Sequence, residues 1–425
     1  MAELPPCVIP QTDTVVYQST EVIIVGAGPV GLFLALKLSL KGVDVLVLEA
    51  EPDVLQSPRA TTYMPIVLNE MDKVGLVNDL IKAGHTNREG IQFRKSHAKG
   101  GELLGSLRMS QVPKGTVKYD FAGIHLGQHI VSKIILEHCQ MQPSFRILWK
   151  RRYGGAKQTA EQDIEVIAAG PLGEKFFTCH YLIGCDSAGS AVRRSLCIPF
   201  EGFTWNDFRF VASNVRYDFE KHGFTTANMI IDEEDWAVIA RTGPGDEPWR
   251  VAFGIPTDIP ESDIMMQLPE KYERLLPGPR PLKYEIVSAN PFWAHQRCAK
   301  TFKVGRIVLC GDAAHSNNPI GGLGLTTGFL DAAALGTCLL RILVHGEEAD
   351  PLLSRYAEVR RAAWLNYTNK ASIDFKLRLH SGHPEVVAQR DIYLHALKTD
   401  PDVHTKAASS MNETIEDMFE VLTAS

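Results

Sequence analysis

Several common signatures are missing from this 425-residue chain, and each absence narrows what it does. There is no H-E-x-x-H, no G-x-S-x-G and no Walker loop, and His380 and His383 in HSGHP have no further evident metal ligands beside them. Metal-assisted and serine-hydrolase chemistry are therefore set aside, and no metal site is expected. The eight cysteines (Cys7, Cys139, Cys179, Cys185, Cys197, Cys298, Cys310, Cys338) contain no C-x-x-C pair, and several lie in apolar runs such as YLIGC and RIVLC, so they read as buried, reduced thiols. Positive charge is short: Lys plus Arg is 44 against Asp plus Glu at 50, a net charge of −6, the wrong sign for neutralising a phosphate backbone. Nucleic acid is not an expected partner. The first twenty residues have neither a basic start nor an apolar core, which points away from secretion and towards the cytoplasm. The apolar stretch 22–40 is interrupted by Gly28-Pro29 and carries Lys37, so a strand, turn and helix suit it better than a membrane span. Internal repeats and low-complexity tracts are also lacking.

What is present is a globular composition, 45% hydrophobic and 22% charged, over a length that suits roughly two to three units at about 150 residues each. After a polar arm over 1–20, EVIIVGAG gives a β-branched run ending in glycine, PVGLFLALKLSLKG has helical spacing, and VDVLVLE reads as a second buried strand. Together they make a βαβ unit. A helical pattern covers 65–83, short alternating segments fill 90–124, and QHIVSKIILEHC is helical again. FRILWK, DIEVIAA and FFTCHYLIGC read as strands. The clearest alternation follows in FRFVASNVRYDF, ANMII, WAVIART and WRVAFGI, a sheet inserted between two segments of nucleotide-binding character and expected to face substrate. RIVLCGD is a further buried strand, a helix is expected to start near Thr326, and 351–425 reads as helices broken at Pro384 and Pro401.

Three segments carry chemistry. The first is Gly26-Ala27-Gly28-Pro29-Val30-Gly31, between strand and helix, with Glu49 closing the next strand. The first glycine permits the tight turn, the second lets a pyrophosphate approach the backbone, and the third lets helix pack on strand, while free helix amides receive phosphate charge. Glu49 is placed to accept hydrogen bonds from ribose hydroxyls. This segment alone does not separate FAD from NAD. The second runs from Gly311-Asp312-Ala313-Ala314-His315 through Asn318-Pro319-Ile320 into Gly321-Gly322-Leu323-Gly324-Leu325-Thr326. An aspartate at the end of a buried strand needs hydrogen-bond partners, which a polyol supplies, and the glycines with the following helix start suit close approach of a flat, anion-forming ring. A helix-capping aspartate in a flexible loop is the plainer alternative. The third is Gly184-Cys185-Asp186-Ser187-Ala188-Gly189, again an acid between strand and short helix, for which an ordinary helix cap is also available.

In this order the three segments resemble the class A flavin monooxygenases, the family of para-hydroxybenzoate hydroxylase and phenol hydroxylase, over about residues 21–340. The pattern looks closer to the branch found in fungal natural-product pathways. The resemblance implies an α/β fold: a Rossmann-like, glutathione-reductase-like FAD-binding domain (21–90, 125–200 and 300–345), an inserted antiparallel substrate sheet (91–124 and 201–299) and C-terminal helices (346–425). It implies FAD held by Gly26, Gly28, Gly31, Glu49, Arg59, Gln128, Asp186, Gly311 and Asp312, with Pro319, Gly322, Gly324, Leu325 and Thr326 lining the isoalloxazine. NAD(P)H is the implied co-substrate, and the implied reaction is hydroxylation of an aromatic, phenolic and polyketide-like molecule through a flavin 4a-hydroperoxide. Departures are Ser187 where the family has glycine, Asn318-Pro319 where two prolines are common, and Thr326 in place of a common asparagine.

Because the hard chemistry belongs to the cofactor, no triad is expected; a substrate phenolate instead needs a cationic or hydrogen-bonding neighbour. Arg209, Arg216, Tyr217, Trp236 and Arg241 of the inserted sheet, His295, His315 and Pro319 are candidates for that place. Epoxidation, Baeyer-Villiger insertion and oxidative dearomatisation remain open on the same fold, as do a non-catalytic binding protein and a plain NAD dehydrogenase. A homodimer is left open as the assembly.

Overall fold

The computed structural model describes residues 17–57, 59–113, 115, 118–159 and 163–409. Cys7 and most of the expected N-terminal arm lie outside them, and the first strand already starts at Tyr17, ahead of the expected end of that arm.

The apolar run Tyr17–Val25 lies at the centre of the first sheet, paired in parallel with Val45–Leu48 on one side and Gly173–Gly184 on the other. Phe145–Leu148 and Ile307–Leu309 extend it in parallel on either side, and all four residues of Val45–Leu48 are buried. Strands buried on both faces read as unbroken apolar runs, which is why these were legible. The helix Pro29–Ser39 covers the sheet together with Gln128–Gln140 and the long helix Leu323–Leu343. Lys37, met as a break in an apolar stretch, donates to the Ala333 carbonyl at 2.8 Å and the Thr337 hydroxyl at 3.0 Å, tying the first helix to Leu323–Leu343. Leu323–Leu343 is itself long and apolar enough to cross a membrane, but 78% of that window is buried inside the protein, where it is a core helix. It begins three residues before Thr326, with Gly322 as its N-cap.

The second sheet has seven strands in the order Glu285–Phe292, Phe208–Arg216, Trp249–Pro256, Ala237–Ala240, Ala227–Ile231, Gly90–Lys95, Leu103–Arg108. Alternation gives it two faces. Val211, Val215, Val251, Phe253 and Ile255 pack under the helix Ile264–Leu275, whereas Phe210, Trp236, Phe93 and Ile231 pack with Ile320 of the glycine loop and with Leu379, Leu394 and Leu397 of the C-terminal helices. The C-terminal helices thus cover the inserted sheet and complete its core.

Two small sheets join the parts. One pairs Phe200–Thr204, His295–Ala299 and His315–Ser316. The other pairs Thr62–Tyr63, Ile124–His125 and His85–Thr86. Of the seven described cysteines, five are buried, Cys185 is half-buried and Cys197 is exposed, so the expectation of uniformly buried thiols fails at Cys197, which follows a short helix on the surface.

Candidate active site

The first glycine turn is fixed by backbone packing. A Cβ on Gly26, at φ +108°, would lie 2.5 Å from the Cys185 carbonyl oxygen, and one on Gly31 would lie 2.2 Å from the Gly26 oxygen. A Cβ on Gly28 would meet no protein atom within 4 Å, so this glycine faces open space at the N-terminus of a helix with no side-chain cap. Glu49 closes the turn: its Oε2 accepts from the Ala27 N–H at 2.7 Å and its Oε1 from the Glu51 N–H at 2.9 Å. Half-buried, it keeps lone pairs for further hydrogen bonds.

Beyond the end of Ile307–Leu309, Asp312 has a solvent-accessible side chain, and among the described residues no donor hydrogen-bonds its carboxylate. Burial among protein atoms on its other sides pushes the carboxyl above its usual value, against the pull of His315 and Arg59. An accessible acceptor that no described donor reaches fits a polyol. The segment carrying it is rigidly held from behind. Asp331 accepts from His315 Nε2 at 2.6 Å, from Arg360 Nε at 2.7 Å and from the Gly311 N–H at 3.2 Å. Burial alone would raise the Asp331 carboxyl, yet His315 and Arg360 hold it below its usual value. His315 is therefore part of a wholly buried scaffold behind the groove and does not face it.

The glycine loop follows. Gly321 and Gly322 both have positive φ, and a Cβ on Gly321 would strike the Phe375 ring at 2.3 Å. Pro319 is exposed and accepts the Gly322 N–H at 3.1 Å. Gly322 caps Leu323–Leu343 with no side-chain bond, leaving the first-turn amides of Leu323, Gly324 and Leu325 free of side-chain caps, while Thr326 Oγ1 donates back to the Gly322 carbonyl at 3.0 Å. Such a terminus carries positive partial charge. Arg59 is exposed, and Gln128 opens its helix, accepting the Ala60 N–H at 3.3 Å.

Asp186 is arranged differently. Its oxygens accept from the Ser190 hydroxyl at 2.5 Å and from the Ala191 and Val192 amides at 2.6 and 3.2 Å, which makes it the organiser of its own turn, with Ser187 at φ +69°. Arg193 then links this turn to the Asp312 segment, donating to the Ala188 and Ala313 carbonyls at 2.7 and 2.8 Å.

On the inserted sheet the candidate residues separate. Arg209 pairs with Glu261 at 3.1 Å and lies over Trp293, Arg216 is at the rim beside Glu285, and Tyr217 stacks on His222 and donates to the Pro277 carbonyl. His295 bonds Thr204 at 2.8 Å in a small joining sheet. None of these four is among the residues clustered with Ile320 of the glycine loop. Trp236 is, in the cluster with Ile320, and its indole N–H is buried without an acceptor. Arg241 pairs with Glu220 over Trp249, while its carbonyl accepts from His125 at 3.0 Å.

Sequence reading missed the polar end of this face. Arg250 donates to the Asn214 side chain at 3.0 Å and to the Arg59 carbonyl at 2.7 Å, and Asn214 donates to Ser288 at 2.8 Å. Burial lowers the Arg250 guanidinium to about 10. Between this end and the Phe210–Trp236 end, the paired Ala212 and Ala252 stay half-exposed, and Val238 beside them is likewise accessible. The signal was available: Arg250 has the same strand parity as Ala252 and Gly254. The groove thus offers a pyrophosphate turn, two carboxylates suited to hydroxyls, an open helix terminus, and a small-residue floor between an aromatic and a cationic end.

Comparison with known proteins agrees with this chemistry. Residues 19–370 match the FAD binding domain family. The chain is 39% identical over 355 residues to para-nitrophenol 4-monooxygenase of Pseudomonas sp. (strain WBC-3), covering 82% of this chain and 84% of that protein. It is 35% identical over 367 residues to 6-hydroxy-3-succinoylpyridine 3-monooxygenase of Pseudomonas putida (strain DSM 28022 / S16), covering 85% and 90%. The crystal structure of p-nitrophenol 4-monooxygenase from Pseudomonas putida DLL-E4 superposes with a TM-score of 0.87 at 34% identity, over 93% of this chain and 98% of that one. With its groove and its match in accord, the chain belongs to the FAD binding domain family of FAD-dependent aromatic monooxygenases, which use NAD(P)H as co-substrate.

Proposed function

We propose that this enzyme hydroxylates a small, single-ring aromatic that already bears a hydroxyl group, with 4-nitrophenol as the first substrate to try. The observation that carries the reading is the accessible Ala212/Ala252 floor, flanked by Phe210 and Trp236 on one side and by Arg250 and Asn214 on the other, on the sheet face that packs against the glycine loop. A flat ring fits over small residues, the aromatic end excludes water, and the cationic end favours an anionic ring substituent. The bacterial relatives named for nitrophenol and for a hydroxypyridine act on rings of this kind by name. The narrower placement in a fungal natural-product branch, with a polyketide-like substrate, has the motif pattern alone behind it.

In this reading segments 21–90, 125–200 and 300–345 hold FAD, and 91–124 with 201–299 receive the substrate, in a cytoplasmic enzyme. Bound FAD supplies hydride acceptance and oxygen activation. The chain supplies the rest: Gly28 leaves the pyrophosphate room, Glu49 accepts from ribose hydroxyls, Asp312 accepts from ribityl hydroxyls, and the Leu323 helix terminus stabilises negative charge on the ring system. Arg59 and Gln128 border the same groove, and the backbone of the Asp186 turn closes it.

The test is the visible spectrum of the purified protein, followed by NAD(P)H oxidation and product analysis with a panel of phenols. A yellow protein that converts a monocyclic phenol to a diol or quinone supports the reading. A protein that oxidises NAD(P)H no faster with any phenol overturns it.

A further inference from the structure

The C-terminal helices hold neither FAD nor substrate in the reading above, yet one of them is fastened to the glycine loop. The helix Asn369–His380 turns Ser372, Phe375, Lys376 and Leu379 to one side, the i, i+3, i+4, i+7 set of a single face. Phe375 lies against Gly321 and Leu379 joins the cluster of Ile320, so this face covers the loop. Lys376, also buried, pairs with Asp207 and lies 4.1 Å from the centre of the Trp205 ring. A closed set of amide bonds completes the contact. The Asn318 N–H donates to Gln296 Oε1 at 2.8 Å, and Asn318 Nδ2 donates to the same oxygen at 3.3 Å and to the Ser372 carbonyl at 2.9 Å. Asn318 Oδ1 accepts the Ile320 N–H at 3.1 Å. Gln296 Nε2 donates to Ser372 Oγ at 2.7 Å and to the side-chain and backbone oxygens of Asn369 at 3.0 and 3.3 Å. Every polar atom of the Asn318 and Gln296 side chains thus has a partner, and Asn318, Gln296 and Ser372 are at most 2% exposed. Such a set fixes one arrangement, because any other leaves a donor or acceptor unpaired and away from water.

We infer that Gln296, Asn318 and Ser372 are positioning residues for the flavin ring: they clamp residues 318–322 between the strand His295–Ala299 and the helix Asn369–His380, and so set where Pro319 and the open helix terminus at Gly322 meet the cofactor. This rests on the FAD-site reading above, in which that loop lines the ring. Three of the five loop residues are held directly, Asn318 by the amides, Ile320 through Asn318 Oδ1 and Gly321 by contact with Phe375. Pro319 accepts the Gly322 N–H at 3.1 Å, which passes the constraint to the N-cap of Leu323–Leu343. The strand that carries Gln296 also pairs with His315–Ser316, which runs into the loop, so the clamp is anchored on the loop's entry as well. A proline at 318 would have no N–H to give Gln296, so asparagine holds this turn by hydrogen bonds in place of a rigid ring. A helix terminus favours negative charge only within about its first turn, so a small shift of the loop changes how well the reduced, anionic ring is held. The pyrophosphate turn and Asp312 lie outside the clamp.

The experiment compares FAD-loaded wild type with Asn318→Ala, Gln296→Met and a control, Tyr272→Phe, whose lost hydroxyl bonds Ser213 at 2.8 Å in the core on the opposite face of the inserted sheet. The readouts are the denaturation midpoint, the visible flavin spectrum, the midpoint potential of bound FAD, and kcat and KM. All three variants should have a lower denaturation midpoint, because each loses buried hydrogen bonds. Only Asn318→Ala and Gln296→Met should shift the flavin bands and weaken the preference for reduced over oxidised FAD by about tenfold, which is a potential about 30 mV more negative for a two-electron couple. Their kcat should fall with KM little changed. Should Gln296→Met fail to fold, Asn318→Ala, which keeps its backbone N–H on Gln296, decides the matter. A spectrum and potential unchanged in Asn318→Ala, or moved equally by Tyr272→Phe, overturn the clamp alone. A wild type that cannot be loaded with FAD overturns the FAD-site reading and the clamp with it.

Discussion

At the scale of single residues, the glycine turn separates folding from binding. Gly31 and Gly28 sit three residues apart, yet an added methyl meets the Gly26 carbonyl at 2.2 Å in one case and open space in the other. Gly31→Ala should therefore cost about 1–3 kcal/mol of stability through overpacking, read as a lower denaturation midpoint of the apoprotein. Gly28→Ala, at φ −70°, should leave that midpoint within about 0.5 kcal/mol and weaken FAD binding. The same contrast applies to the two carboxylates. Asp312 accepts no hydrogen bond from the described residues, so Asp312→Ala should fold normally and lose affinity for FAD by about 1.5–3 kcal/mol, roughly tenfold to a hundredfold, measured by flavin fluorescence titration. Full flavin retention would refute its placement on the ribityl chain. Glu49 also holds the Ala27 amide, so its removal should weaken both the cofactor and the turn.

Elements raise a different question, which is how the groove is held in shape. Leu323–Leu343 contributes Asp331 and Ala349–Ala363 contributes Arg360, and their pair is shielded from water at 2.7 Å. Removing one partner of a buried pair leaves a charge uncompensated, so Arg360→Met should destabilise by about 3–5 kcal/mol, whereas Arg360→Met with Asp331→Leu should cost less. Chemical denaturation of the three proteins decides this, and an equally severe double variant would show that the pair matters only as packing. None of this pairing was legible from sequence, since Asp331 and Arg360 look like ordinary helix residues. Legibility followed periodicity: the parallel strands and the alternating sheet were read because each repeats a pattern over three residues or more. Two-residue strands such as Thr62–Tyr63 and His85–Thr86 have no period to detect, and the helix Ile264–Leu275 contains Pro269, which argues against a helix interior. Consequently the glycine and aspartate motifs stood out, while Arg250 and Asn214 came together only through the fold.

For the whole molecule, the joining sheet is where the cofactor half and the inserted sheet depend on one another, and His125 lies in its middle strand. It is buried, its Nδ1–H donates to the Arg241 carbonyl at 3.0 Å, and burial lowers the imidazole from 6.5 to about 4. The folded protein therefore resists a proton that the unfolded chain accepts. Stability is fully present above pH 6.5, and it falls as pH drops from 6.5 towards 4, by about 1.4 kcal/mol per pH unit and roughly 3 kcal/mol across the window. His380, lowered to about 4 by burial and by Lys376, loses stability over the same range. Asp331 acts elsewhere, because a carboxyl held below its usual 3.8 gives stability that is lost only at lower pH still. His125→Gln keeps an N–H for the Arg241 carbonyl and removes the titration. Its stability, measured by denaturation of FAD-loaded protein between pH 6.5 and 4, should fall less steeply than that of wild type, by about the slope of one proton. Parallel profiles would mean that His125 takes up its proton as readily folded as unfolded, and that the join between the two halves tolerates charge at its centre.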